Sequence, residues 1–317
     1  MSRIILPCRS ELAGFYRLQV RNGRTLKVKK DTGWFPNIIT DQGLNARGSQ
    51  SSILGQTQVG SGTDAPATTD TALQSFVAST TTTQDSSSAA QASPPYYGRV
   101  RVTRRFAEGV AAGNLSEVGI GYGTSGSISD PTNARPLFSR ALILDALGDP
   151  TTITVLSNEI LDVTYELRNY PPLVDQEYAV DGYDIVSRAA RVTSALGPST
   201  QSGWASGLSG EVRFFRQNIY NEGIGLITET PSGFSTSTNS GGSSVSTFSY
   251  SNNSLERVGE AFFGLNNNPP NNPEVRSLLM NTNGCGVFQF EFDPVIPKDA
   301  TKELTIGLQC SWARRTL

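Results

Sequence analysis

Leu304, Ile306, Leu308 and Cys310 fall on every second residue, with Thr305, Gly307 and Gln309 between them. A strand has a side-chain period of two, so this spacing buries one face of a sheet; a helix would scatter the same residues around its girth. The alternation recurs along the chain: Val100 and Val102 lie between Arg99, Arg101 and Thr103, and further alternating stretches span 15–29, 160–167, 177–186 and 287–292. Turn-forming residues separate them at intervals of roughly 8–12 residues, as in sandwiches and barrels. The expected fold is therefore mainly β: two antiparallel β-sandwich or jelly-roll-like domains with one or two short helices near the N-terminus.

Local signals refine this expectation. Asn22-Gly23 predicts a hairpin over 15–29, because a type I′ turn needs positive φ at both central residues, and Leu26 and Val28 are expected to pack. Thr40 or Asp41 is placed to cap a short helix that stops near Gly48, and residues 69–73 predict a second. The stretch 79–93 is almost wholly Ser, Thr, Ala and Gln, and predicts a loop or exposed arm. Asp181-Gly182 predicts another hairpin. Segments 211–216 and 225–228 are expected to pair, as are the two alternating segments 287–292 and 303–312. The paired prolines Pro171 and Pro172 cannot continue a central strand, which puts a domain boundary there and divides the chain into 1–172 and 173–317.

Histidine is absent from all 317 residues. That excludes Ser-His-Asp and Cys-His mechanisms and histidine-zinc sites. Cys8, Cys285 and Cys310 cannot all pair within one chain and lack C-x-x-C spacing, so buried free thiols are expected. Gly119-x-Gly121-x-Gly123 is not followed by a helix pattern and so offers no phosphate-binding helix N-terminus. Asp162 and Glu166 share one strand face, an acid pair that any exposed alternating strand would also display. A net charge of −2 gives no bulk attraction to nucleic acid, and no apolar run is long enough to span a bilayer. No catalytic, cofactor-binding or metal residues are expected, and the chain is not expected to be an enzyme. What remains is surface: Phe234, Phe248, Tyr250, Phe262 and Phe263, on or beside Ser/Gly/Asn-rich loops, are candidates for recognition.

Several phrases carry a resemblance. Asn37-Ile38-Ile39-Thr40-Asp41-Gln42-Gly43-Leu44, Val59-Gly60-Ser61-Gly62-Thr63-Asp64-Ala65-Pro66 and Thr69-Asp70-Thr71-Ala72-Leu73 resemble the N-terminal portion of minor virion proteins of tailed bacteriophages, commonly associated with tail fibres or the baseplate. Residues 137–172 and 292–314 are similar to the same group. The resemblance implies β-rich domains, self-association as a homotrimer, attachment to other virion proteins, and synthesis in the bacterial cytoplasm before incorporation into the virion. It implies that 1–172 anchors the protein and that 173–317 presents loops outward, toward a host surface glycan or pilus. A capsid-decorating or head-tail collar protein is the alternative, and a polysaccharide depolymerase on a β-scaffold is a third reading. No membrane insertion is expected.

Overall fold

The computed structural model describes residues 4–123, 134–195, 203–238, 242–268 and 273–316. In chain order the first elements are β1 (Ile5–Asn22), β2 (Val28–Asp31), β3 (Phe35–Pro36), β4 (Ile38–Ile39), α1 (Asp41–Ala46), β5 (Gln56–Gly60), β6 (Phe76–Thr80), β7 (Thr83–Ala90) and β8 (Gly98–Phe106). There follow β9 (Gly113–Leu115), β10 (Glu117–Gly121), β11 (Leu137–Leu142), β12 (Ile153–Val155), β13 (Glu159–Tyr170), β14 (Gln176–Val180) and β15 (Tyr183–Ala189). The remainder is β16 (Arg213–Phe214), β17 (Asn218–Tyr220), β18 (Ser235–Ser237), β19 (Ser244–Thr247), β20 (Glu256–Phe263), β21 (Glu274–Asn283), β22 (Val287–Pro297) and β23 (Leu304–Arg314). The fold is mainly β.

The strand β1 organises the molecule. It is 18 residues long and its even-numbered side chains, from Leu6 to Val20, are buried. One edge pairs antiparallel with β13; the other pairs in succession with β23, β3 and β2. The β23 pairing is parallel, which departs from the expected all-antiparallel arrangement. A nine-stranded sheet results, ordered β19-β20-β23-β1-β13-β8-β7 with β2 and β3 attached to β1. β13 ends at Tyr170, beside the expected boundary at 172/173, while this sheet and the apolar core both draw strands from the two sides of it.

Two other sheets pack on the buried face of β1. Toward its C-terminal end, the Tyr16 hydroxyl lies 2.8 Å from Ser139 Oγ, and Tyr165 of β13 meets Phe138 edge-on at 6.5 Å. This face therefore rests on the five-stranded sheet β4-β11-β10-β5-β6. Toward the N-terminal end, Cys8 and Ser10 reach Met280 and Cys285, beside the seven-stranded sheet β14-β15-β22-β21-β17-β18 with β16 on β21. Trp204, fully buried, packs on Phe288 at 5.3 Å and satisfies its indole N–H on the Ala190 carbonyl.

The α1 cap forms as expected: Thr40 Oγ1 accepts from the Gly43 N–H at 3.0 Å. Gly43 has a steric role, since a Cβ there would collide with the Phe138 backbone. The Asp181-Gly182 hairpin also forms, with φ of 53° and 84° at its two central residues. Ile306, Leu308 and Cys310 share the buried face of β23, with Leu304 half-buried at its start.

Other local expectations need correction. The first hairpin has no two-residue turn: Asn22 Oδ1 accepts from the Arg24 and Thr25 N–H groups, and positive φ falls on Leu26. Leu26 and Val28 are exposed because β2 contributes only polar-edge pairing. Residues 69–73 form turns, with the Asp70 carboxylate accepting from the Ala67 N–H and pairing with Arg140. The stretch 79–93 supplies the end of β6 and all of β7, since backbone pairing to β8 needs no apolar side chains. Segment 225–228 forms no strand, while β16 and β17 pair with β21 instead. β22 and β23 enter different sheets. Cys285 and Cys310 form a disulfide, leaving Cys8 as a buried free thiol.

Candidate functional site

The solvent-facing side of β1, β13 and β8 is a grid set by strand register. Gln19, Asp162 and Arg105 stand side by side across the three strands, and Phe15, Glu166 and Arg101 form a second row. Asp162 is nearly buried and accepts from Arg21 Nε at 2.6 Å and from Arg105 Nε at 2.7 Å. Glu166 is fully buried beneath Arg101, at 2.6 Å, and Arg168, at 2.7 Å, with Arg99 at 3.7 Å. Arginine forks saturate both carboxylates. These ion pairs tie β13 to β1 and β8.

Flat rings continue the pattern toward one end of the sheet. The Arg168 guanidinium lies 4.1 Å from the Phe15 ring centroid and 4.5 Å from that of Tyr97. Tyr97 packs on Tyr170 at 5.4 Å, and Arg315 covers Tyr170 at 4.3 Å while pairing with Glu11 at 3.1 Å. Alternating cations and rings are favourable because each guanidinium meets the electron-rich ring face. Beyond the ladder opens a groove of about 470 Å³, lined by Arg9, Tyr96, Tyr170, Pro171, Pro172 and Arg315 among others. Leu173 and Val174, just past the prolines, are strongly exposed. Rings, prolines and arginines suit the binding of a sugar face or an extended chain. Donors suited to a soft cation also gather here: the sulfurs of Cys8, Cys285 and Cys310 lie together, and Cys8 itself lines the groove.

A second, more open cavity of about 830 Å³ lies among Arg191, Arg216, Asn218, Tyr220, Glu229 and Asn281. Its polar lining is supplied by β17, β21 and neighbouring loops, and burial raises the Tyr220 hydroxyl above the usual tyrosine range.

The five aromatic candidates do not form one surface. Phe234 is 55% exposed and Phe248 is 39% exposed. Tyr250 is half-buried, stacks on Trp312 at 6.0 Å and donates to Asn45 Oδ1 at 2.9 Å. Phe262 is half-buried in β20, and Phe263 is fully buried in the core, where alternation along the strand places it. Sequence reasoning missed the groove. Its signal was Tyr170-Pro171-Pro172, which reads as a strand end; that Arg9, Glu11 and Arg315 meet there depends on the parallel β1–β23 pairing.

The phrases that carried the resemblance do converge. The Thr40 hydroxyl donates to the Leu137 carbonyl at 2.6 Å, the Trp312 indole donates to the Leu44 carbonyl at 2.8 Å, and Arg314 Nε donates to the Ile39 carbonyl at 2.6 Å. Comparisons with protein-family models, characterised proteins and solved structures found no match to this chain.

Proposed function

We propose that this chain is a structural component of a tailed-phage virion, a tail-fibre or baseplate-associated appendage protein that self-assembles. The observation that carries the reading is β7. It lies at one end of the nine-stranded sheet, and among the described residues only β8 pairs with it. Its sequence is Thr-Gln-Asp-Ser-Ser-Ser-Ala-Ala, without proline or lysine, and most of it is exposed. Such an edge offers unpaired backbone N–H and C=O groups, which a strand from another copy can extend.

Two further features support the reading. The resemblance phrases meet around α1, β11 and β23, so they describe one structural junction. The acid pair that a depolymerase would need is consumed by arginine pairing. In this proposal the chain is not an enzyme: the strands around β1 anchor it to other virion proteins, copies associate as a homotrimer, and the second cavity with the nearby Phe234 loop faces a host surface glycan or pilus.

Electron microscopy of intact particles labelled with antibody to this chain tests the assignment. Label at the tail or baseplate is expected. Label confined to the head would replace this reading with capsid decoration, and particles without label would remove a virion role altogether.

A further inference from the structure

All three cysteines of the chain converge, although they lie at positions 8, 285 and 310. Cys8 and Cys310 are register partners across the parallel β1–β23 pair, and Cys285 enters from the turn between β21 and β22. All are buried, and their sulfurs lie within 4.8 Å of one another. A disulfide uses two of them. It leaves unexplained why the third stands beside them, and why other polar groups around the cluster lack partners.

Three of the surrounding groups are informative. Met280 Sδ lies 3.7 Å from Cys8 Sγ and adds a thioether to the sulfur set. The Tyr178 hydroxyl is buried with no hydrogen-bond partner, and it lies near enough to Cys8 to interact with a charge there. Arg47 is fully buried and has no carboxylate partner among the described residues; it donates to the carbonyl of Gly284, next to Cys285. In addition, Ser10 Oγ lies 3.3 Å from Cys285 Sγ. An orphaned hydroxyl, a hydroxyl already on sulfur and an unneutralised buried cation are what a negatively charged thiolate cluster requires around it.

We propose that the reduced chain holds one thiophilic d10 cation, zinc(II) or copper(I), on the thiolates of Cys8, Cys285 and Cys310. Reduction of the Cys285–Cys310 bond takes two electrons and two protons from a dithiol, which becomes a disulfide, or two electrons from a phosphine, which becomes its oxide while water supplies the two protons and the oxygen; the three thiols then release their protons to water as the cation binds. Soft thiolate and thioether donors favour these ions, and tetrahedral zinc accepts three sulfurs with one further donor. Three thiolates and a divalent ion sum to one negative charge, which Arg47 offsets. The Ser10 and Tyr178 hydroxyls supply outer hydrogen bonds to sulfur, which tune affinity in such sites. The groove reaches Cys8 and gives the ion its route in. Bound there, the cation ties the first strand of the chain to the last. This inference is independent of the virion assignment.

The test is anaerobic titration of phosphine-reduced, full-length protein with zinc or copper(I) against a chromophoric competitor, with bound metal counted by mass spectrometry and the melting temperature followed in parallel. One ion per chain and a higher melting temperature are expected. Cys8→Ser should abolish one-to-one binding while its circular dichroism stays that of the wild type. Tyr178→Phe keeps every sulfur and should weaken binding roughly tenfold at unchanged stoichiometry. A reduced, folded wild type that binds no ion would overturn the proposal, and so would equal affinity in wild type and Cys8→Ser. If Cys8→Ser does not fold, wild-type affinity in both Cys310→Ser and Tyr178→Phe would overturn it equally.

Discussion

β13 and β7 belong to the same sheet, yet they are held by different forces. β13 lies between β1 and β8 and buries an apolar row, Leu161, Val163, Tyr165 and Leu167, on one face. On its other face Asp162 is fixed by arginines from both neighbours, and Glu166 by arginines of β8 and of β13 itself. Among the described residues β7 pairs with one strand, and it has exposed Ser and Thr side chains and a cavity of about 380 Å³ under Ser86, Ser87 and Ser88. Packing and ion pairs add to the backbone ladder at the centre, whereas among the described residues backbone pairing to β8 holds the edge. The difference assigns stability to one strand and leaves the other as the edge through which the proposed self-association would run.

The largest break in the comparison should come from the centre. Tyr165→Ala empties space against Tyr16 and Phe138 and is expected to cost about 3–5 kcal/mol in denaturant unfolding. Glu166→Ala leaves Arg99, Arg101 and Arg168 without their counter-charge. These arginines are partly exposed, so a loss of about 2 kcal/mol is expected, less than for a wholly buried pair.

Acid should act on the ion-paired rim. Hydrogen bonds from Arg17 hold Asp31 far below the usual carboxylate range, Lys29 lowers Glu159, and Arg188 lowers Asp175. Each group binds fewer protons folded than unfolded between its depressed value and roughly pH 4. Stability should therefore be full above that pH and fall as pH drops below it. Melting temperatures measured from pH 6 to pH 2 check the sign, and Asp31→Asn should flatten the curve.

The smallest effect on folding should come from the edge. Ser86→Lys puts an inward-facing charge on β7, a device by which natural sheets block edge pairing. Isolated-chain stability should change by less than about 1 kcal/mol, while sedimentation should show loss of self-association. Unchanged association would detach β7 from assembly and move the interface elsewhere.

The same contrast explains what was legible in the sequence. β13 and β23 could be read because burial on one face writes itself as alternation. The capped helix at Thr40 and the turn at Asp181-Gly182 were legible because their chemistry is local. β7 was not, since a strand held by its backbone carries no apolar pattern, and 79–93 consequently read as a loop. The groove and the cysteine cluster were also hidden, because Glu11 meets Arg315 and Cys8 meets Cys310 only through a pairing between the two ends of the chain. Among the aromatic candidates, composition could not separate exposed Phe234 from Phe263, whose position in β20 turns it inward.

Amide hydrogen exchange, compared between the isolated chain and the assembled particle, tests the central claim most directly. β13 should be protected in both states. β7 should exchange quickly in the isolated chain and become protected on assembly. Fast exchange of β7 in both states, or full protection before assembly, would contradict an association edge.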